Sequence, residues 1–277
     1  TWTRTPFPGN RIPQDRLNPI TRRLMGFYPQ PNAVSPEQDY SRGNYFLSPN
    51  VATDDFFNWT LKIDQNLSAK HRFFFRFAHN DRTETRSTNG LGPGQPGQDG
   101  QWPLKRINDA YVLDWVSNLT PTLIFNIRPS FSRYIEGSRG DGNRNFDLTS
   151  LGFPAAMRNQ LPVPDVFGRY EFSDYLPLGR FFNFNYTNTA AVHPTFTWIK
   201  GSHTFKFGAD MRTLQFNQQD SGQVFQLTFN RNFTQQQFNR GDVLSGNSFA
   251  TALLGTPTGG QVAVNAFPGW RYLYVAP

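Results

Sequence analysis

The side chains that could do chemistry are few and scattered. Histidine occurs only at positions 71, 79, 193 and 203, never in the His-Glu-x-x-His spacing that aims two imidazoles at one zinc ion. Cysteine is absent, which excludes thiolate ligands, thiol nucleophiles and disulfides. There is no Gly-x-Ser-x-Gly elbow, and the glycines between Gly90 and Gly100 lead into no Gly-Lys-Ser/Thr phosphate loop; that stretch reads as an exposed loop that does not pack. Asp141, Asn143, Asn145 and Asp147 alternate oxygen donors as a calcium loop begins, but the sixth-position Gly and twelfth-position Glu are missing, and Asx-rich turns account for them. The expectation is a chain with no cofactor, no metal and no enzymatic role.

Charge carries more information than nucleophiles do. Lys and Arg outnumber Asp and Glu 27 to 20, yet the densest basic groups are Arg22-Arg23 and Lys70-His71-Arg72, with no stripe suited to nucleic acid. In windows of period two, Lys62, Asp64, Arg72, Arg76, Asp114, Arg128, Lys206, Asp210 and Arg212 all fall opposite a row of rings. That row holds Trp59, Phe73, Phe75, Phe77, Trp115, Phe125, Phe131, Trp198, Phe205 and Phe207. A half-buried strand shows the same alternation, so the pattern calls for sheets that place one face in an apolar medium.

The elements needed to position these residues follow from the same period. Residues 1–56 read as an irregular segment with one short helix, N-capped by Asn18, with Pro19 at its first position and Ile20, Leu24 and Phe27 on one side. Three hairpins follow, turning near Asn66–His71, Asn118–Pro121 and Lys200–His203, and a further strand begins at Gly269. Pro129 interrupts one strand. The connections between hairpins are several times longer than the turns, with short helices expected near Ala155–Gln160 and Phe249–Leu254 and an extra hairpin near Phe225–Phe229. Long loops at one end and short turns at the other characterise transmembrane β-barrels, whose side chains alternate between lipid and lumen. No apolar run reaches the roughly 18 residues of a spanning helix. A secreted or surface β-sandwich binding carbohydrate through exposed aromatics shows similar alternation and stays open.

Several phrases then carry a resemblance. Phe7-Pro-Gly-Asn-Arg-Ile-Pro13, Arg16-Leu-Asn-Pro19 and Phe27-Tyr-Pro-Gln-Pro-Asn32 resemble the segment preceding barrel strands in Oar-like TonB-dependent receptors of the bacterial outer membrane. Asp64-Gln-Asn-Leu-Ser-Ala-Lys-His-Arg72, Leu119-Thr-Pro-Thr-Leu123 and Gly201-Ser-His-Thr-Phe-Lys-Phe-Gly-Ala-Asp-Met-Arg212 look like that family's strand-turn-strand units, and Ser248-Phe-Ala with Leu253-Leu-Gly255 is similar to its loop helix.

The fold expected is all-β: an antiparallel transmembrane barrel segment of about seven strands from a larger barrel, with short periplasmic turns and long extracellular loops. Residues 57–277 would be that partial barrel, truncated at both ends. The resemblance implies uptake of a scarce nutrient across the outer membrane. It also implies partners: outer-membrane lipid, a plug domain of the same parent chain, the TonB complex reached through a region N-terminal to this chain, and an unidentified nutrient. The nine charges are then expected to face the lumen and plug, and the ten rings the lipid, with Trp59, Trp115, Trp198 and Trp270 as an interfacial girdle.

Overall fold

A computed structural model describes residues 3–34, 44–47, 52–85, 89–92, 94–99, 103–138, 141–180, 183–220, 224–237, 245–263 and 267–277. In chain order the elements are α1 (Pro19–Met25), β1 (Asp54–Asn66), β2 (His71–Glu84), β3 (Leu104–Thr120), β4 (Leu123–Ser138), α2 (Ala155–Arg158), β5 (Arg169–Phe172) and β6 (Tyr175–Leu178). They continue with β7 (Asn183–Lys200), β8 (His203–Gly208), β9 (Asp210–Asp220), β10 (Gln226–Phe229), α3 (Ser248–Leu253), β11 (Gly259–Gln261) and β12 (Gly269–Ala276).

The large sheet is an antiparallel meander in the order β1-β2-β3-β4-β7-β9-β12, with β8 continuing β9 against β7. Prolines account for its interruptions. Ala209 N donates to Pro194 O at 3.0 Å, but Pro194 has no N–H to return, so one strand divides into β8 and β9 without a change of register. Pro129 likewise leaves a gap in the β3–β4 ladder between Val112↔Ser130 and Trp115↔Ile127, while pairing with β7 runs through it. β1 begins at Asp54, and β7 reaches 18 residues, so the strands extend well past the sequence windows.

Short turns close one end. Ser68 Oγ accepts from Lys70 N at 3.1 Å and His71 N at 3.2 Å, and Gly201 supplies the φ of 59° that a side chain would strain. The pairing line from Asn66 through Arg72 passes Val116 while β3 continues to Thr120, then passes Thr195 while β7 continues to Lys200. Successive turns therefore step along the strands, the stagger that a tilted, curved sheet requires.

The apolar core lies in the connections at the opposite end. Leu24, Leu148, Leu151, Phe167, Tyr170, Phe172, Leu178, Phe225 and Phe229 are buried together. They come from α1 and two long loops, and β5, β6, β10 and β11 form a second, four-stranded sheet within this cap. β10 pairs parallel to β5 and antiparallel to β11, so the hairpin expected near Phe225 is instead a strand joining two loops. Rings meet edge to face, as in Phe27–Phe167 at 5.2 Å, Phe146–Phe167 at 4.9 Å and Tyr28–Phe249 at 4.8 Å.

The stretch from Gly90 to Gly100 was expected to stay unpacked, and the structure corrects this. Asn89 and Gln98 are buried, Asn89 Nδ2 donates to Gly97 O and Pro177 O at 3.0 Å each, and Gly97, at φ +87°, lies against Leu178 and Phe167. Polar loops are held there by amide side chains rather than by apolar residues, which hydrophobic periodicity does not detect.

Asn18 caps α1 as expected, accepting from Ile20 N at 2.9 Å and Thr21 N at 3.2 Å, and α1 packs into the cap through Leu24. Tyr170 Oη is buried with no hydrogen-bond partner among the described residues. Tyr170→Phe is therefore expected to leave cap stability unchanged or raise it by up to about 1 kcal/mol, whereas Phe167→Ala lowers it by about 3–5 kcal/mol. Limited proteolysis of the loops across a urea series measures both; a clear loss in Tyr170→Phe would reveal a partner for the hydroxyl.

Candidate functional site

Residues paired across antiparallel strands share a face of the sheet, so the register assigns every side chain to one of two sides. One side collects the rings. Leu61, Phe77, Tyr111 and Phe131 form one cross-strand row, Ile63, Phe75 and Leu113 the next, and Phe73 pairs with Trp115. Trp59 joins this face through its pairing with His79 and stands 5.0 Å from Phe77; Phe125, Phe196 and Phe207 form a further row, and Trp198 pairs with Phe205. Trp59, Trp115 and Trp198 are each 40–43% exposed, so these rings do not form a core against a second sheet. That arrangement removes the sandwich alternative.

The ring face changes character along one register row, where His79, Asp109, Arg133, Asn188, Gln215 and Arg271 are paired in succession. Between that row and the turns this face carries no Asp, Glu or Arg; its His and Lys residues are His71, His203 and Lys200, all beside turns.

The nine charged residues picked out by period all lie on the other face, and some pair. Lys62 Nζ lies 2.8 Å from Asp64 and over the Phe74 ring. Asp114, nearly buried, accepts from Arg128 Nε at 2.6 Å and Asn126 Nδ2 at 3.0 Å. Arg212 binds Asp210 at 2.8 and 2.5 Å, with His193 Nδ1 3.4 Å from the same carboxylate. Arg72, Arg76 and Lys206 make no ion pair among the described residues. Arg72 lines a cavity of about 320 Å³ with Asp64, Phe74 and Asp114.

A larger network on this face escaped the sequence windows. Arg82 binds Asp54 at 2.8 and 2.6 Å and Glu84 at 3.1 Å, Arg106 bridges Glu84 and Glu136, and Tyr134 Oη donates to Glu136 at 3.1 Å. It crosses β1 to β4 near their loop ends. The available signal was the period-two spacing of Arg82 with Glu84, beyond the aromatic run that defined the window.

The placement of Trp270 is also a correction. It pairs with Phe216 at a ring separation of 5.3 Å, while Tyr272 and Tyr274 pair with Leu214 and Arg212, so Trp270 shares the charged face rather than that of Trp59, Trp115 and Trp198. Alternation within β12 reveals which residues lie together, but the side they occupy is set by register with β9.

The cap has its own electrostatics. Arg169 binds Asp99 at 3.0 Å and Glu171 at 2.8 Å; burial opposes its charge, but these carboxylates outweigh it and hold the guanidinium charged. Asp174 is desolvated, which pushes its pKa up, yet hydrogen bonds from Ser248 N–H and Arg231 prevail and hold it below the ordinary 3.8. In the calcium-like stretch, Asn143 accepts from Gly97 N and donates to Gln98 O and Arg180 O, while Asp147 caps the turn at Leu148–Leu151 and lies 3.3 Å from Arg158. Both donors are thus engaged in holding loops. Among the described residues no cluster of three or more His, Asp or Glu is arranged to hold a metal ion, and no helix is long and apolar enough to cross a membrane.

A staggered meander with one uncharged aromatic belt and one charged face has the build of a membrane-spanning β-barrel wall. Over residues 1–276 the chain matches the outer membrane beta barrel domain family, and it belongs to that family. It is an all-β barrel segment of the bacterial outer membrane. Comparison with curated proteins and with solved structures finds no match.

Because the pKa of Asp174 is depressed in the folded cap, its contribution to stability is present above pH about 4 and is lost as pH falls through the depressed range. Amide-exchange protection factors in the cap are expected to hold level from about pH 7 to 5 and to decline below about 4, with a smaller decline in Asp174→Asn. An identical decline in the variant would assign the effect to other carboxylates.

Proposed function

We propose that this chain forms part of the barrel of a TonB-dependent outer-membrane receptor that takes up a scarce nutrient, a transport role rather than an enzymatic one. The observation carrying this reading is the pairing of an uncharged aromatic belt with an opposite charged face, beneath a folded cap built from the long loops. The belt has the right height. From His71 to His79 a strand advances about 27 Å at about 3.4 Å per residue, or about 21 Å at a tilt of about 40°, close to the apolar band of about 25 Å in such barrels.

On this reading the ring face meets outer-membrane lipid, the charged face lines the lumen, the short turns are periplasmic and the cap is extracellular. Strands of 13 to 18 residues exceed the 9–11 or so that cross a bilayer, so their loop ends, with the Asp54–Arg82–Glu84–Arg106–Glu136 network, stand clear of the lipid. Arg72, Arg76 and Lys206 would pair with a plug domain of the same parent chain, and nucleic acid is not a partner. TonB dependence is supported by the Oar-like phrases at residues 7–32, 64–72, 119–123 and 201–212.

Two experiments test the reading at different points. In vesicles of brominated phosphatidylcholine, variants retaining a single tryptophan at 59, 115 or 198 are expected to be strongly quenched, and one retaining only Trp270 weakly quenched. Equal quenching of all four would overturn the sidedness. For transport, the full-length parent protein is expected to co-purify with the periplasmic domain of TonB. Failure to associate, with the barrel shown to be folded by heat-modifiable gel migration, would remove the TonB-dependent role while leaving the barrel intact.

A further inference from the structure

Most of the charged face is charged only in two zones. The Arg82–Arg106–Glu136 row lies toward the loops, and Lys62, Arg76 and Arg212 share a row nearer the turns. Between them the register places two consecutive rows without Asp, Glu, His, Lys or Arg. Asn58, Asn80, Asn108, Tyr134, Thr187, Phe216 and Trp270 succeed one another across all seven strands in one row. The next, running from Thr60 through Ser132 and Thr189 to Tyr272, is equally neutral.

The chemistry changes along this band. At the β1–β3 side it offers carboxamides: Asn58, Asn80 and Asn108 make no side-chain hydrogen bonds among the described residues, so each keeps a donor pair and an acceptor available. At the β9–β12 side it offers flat apolar surface: Trp270 is 46% exposed and Tyr272 61%, beside Phe216 and Leu214 of the neighbouring strand. Amides at one end of the band and rings at the other, about 20–30 Å apart at about 4.8 Å per strand, complement successive residues of an extended oligosaccharide, hydroxyl edges at the amides and an apolar ring face at Trp270. A multiply charged ligand would find no counter-ion in these rows.

We propose that this neutral band binds an uncharged carbohydrate, with Trp270 and Tyr272 as the stacking platform and Asn58, Asn80 and Asn108 as hydrogen-bonding partners. The proposal rests on the assignment of this face to the lumen and names the class of nutrient. Because the amides lie on β1–β3 and the rings on β12, an oligosaccharide spanning the band would be held at its two ends by different chemistry, which fixes its direction.

The test is titration of the purified full-length parent protein, in an amine-oxide detergent that has no sugar headgroup, with maltohexaose, cellohexaose, xylohexaose and mannohexaose, and with ferric citrate as an anionic probe. Saturable binding of at least one neutral hexasaccharide is expected, weakened about tenfold or more by Trp270→Ala and by Asn80→Ala, and unchanged by Phe73→Ala on the opposite face. Heat-modifiable migration of each variant confirms that the barrel is folded.

Absence of binding by all four sugars, or equal binding by wild type and the two variants, overturns the inference, as does binding of ferric citrate alone. Titration in detergent needs neither TonB nor energy. Sugar binding by a parent protein that does not associate with TonB would thus preserve this site and remove only the transport reading.

Discussion

The structure depends on the requirement that backbone N–H and C=O groups find partners where no water can supply them. Only a fully paired sheet meets this within hydrocarbon, and the seven-strand meander follows from it. Each strand pairs with its neighbours in sequence, and the turns on one side are reduced to a few residues. Pairing proceeds through Pro129 and Pro194 with only local gaps, because a missing N–H removes one bond without shifting the register. An unbroken register then does the chemical sorting: a side chain's face is decided by parity, and one residue of slip would carry the charges to the apolar side at about 2–4 kcal/mol for each Arg or Lys at mid-membrane.

The ring face of the sheet packs against no second sheet among the described residues, so it supplies no core. The loops therefore need a core of their own, and the chain supplies one made mostly of rings. Phe27, Phe146, Phe167, Tyr170, Phe172 and Phe249 come from three separated segments and meet edge to face. Large flat side chains cover much area for few ordered rotors, which suits a small core assembled from loops. Asn89 and Asn143 complete the cap by satisfying backbone groups that would otherwise be buried unpaired.

What was legible in the sequence was whatever repeats locally. Trp59–Ile63 and Phe73–Phe77 display period two, Ser68 and Gly201 mark turns, and Asn18-Pro19 starts a helix; each signal is complete within a few residues. The cap was not legible, because β5 and β10 are four residues each and pair only across an interval of more than fifty residues. The Arg82–Arg106–Glu136 network and the face of Trp270 were hidden for a related reason: they depend on how neighbouring strands align, and one strand's alternation cannot report that. The neutral rows are an extreme case, since Asn58, Asn80 and Asn108 become a series only when three strands are laid side by side.

The way the N-terminal segment joins the cap fixes an order of assembly. Arg4 reaches Asn232 O, 228 residues away, at 2.6 Å; Asn18 N donates to Leu253 O at 2.7 Å; Arg23 reaches Leu151 O at 3.1 Å. The hairpins close through contacts a few residues apart, so their loop-closure entropy is small, whereas the cap must wait until nearly the whole chain is present and its strands have brought the loops to one end. The segment that precedes the sheet thus acquires its partners only after the loops that follow it. Until the third long loop folds back, α1 is held only by the second, through Leu148 and Leu151, so a closed cap records that the sheet beneath it has aligned both loops.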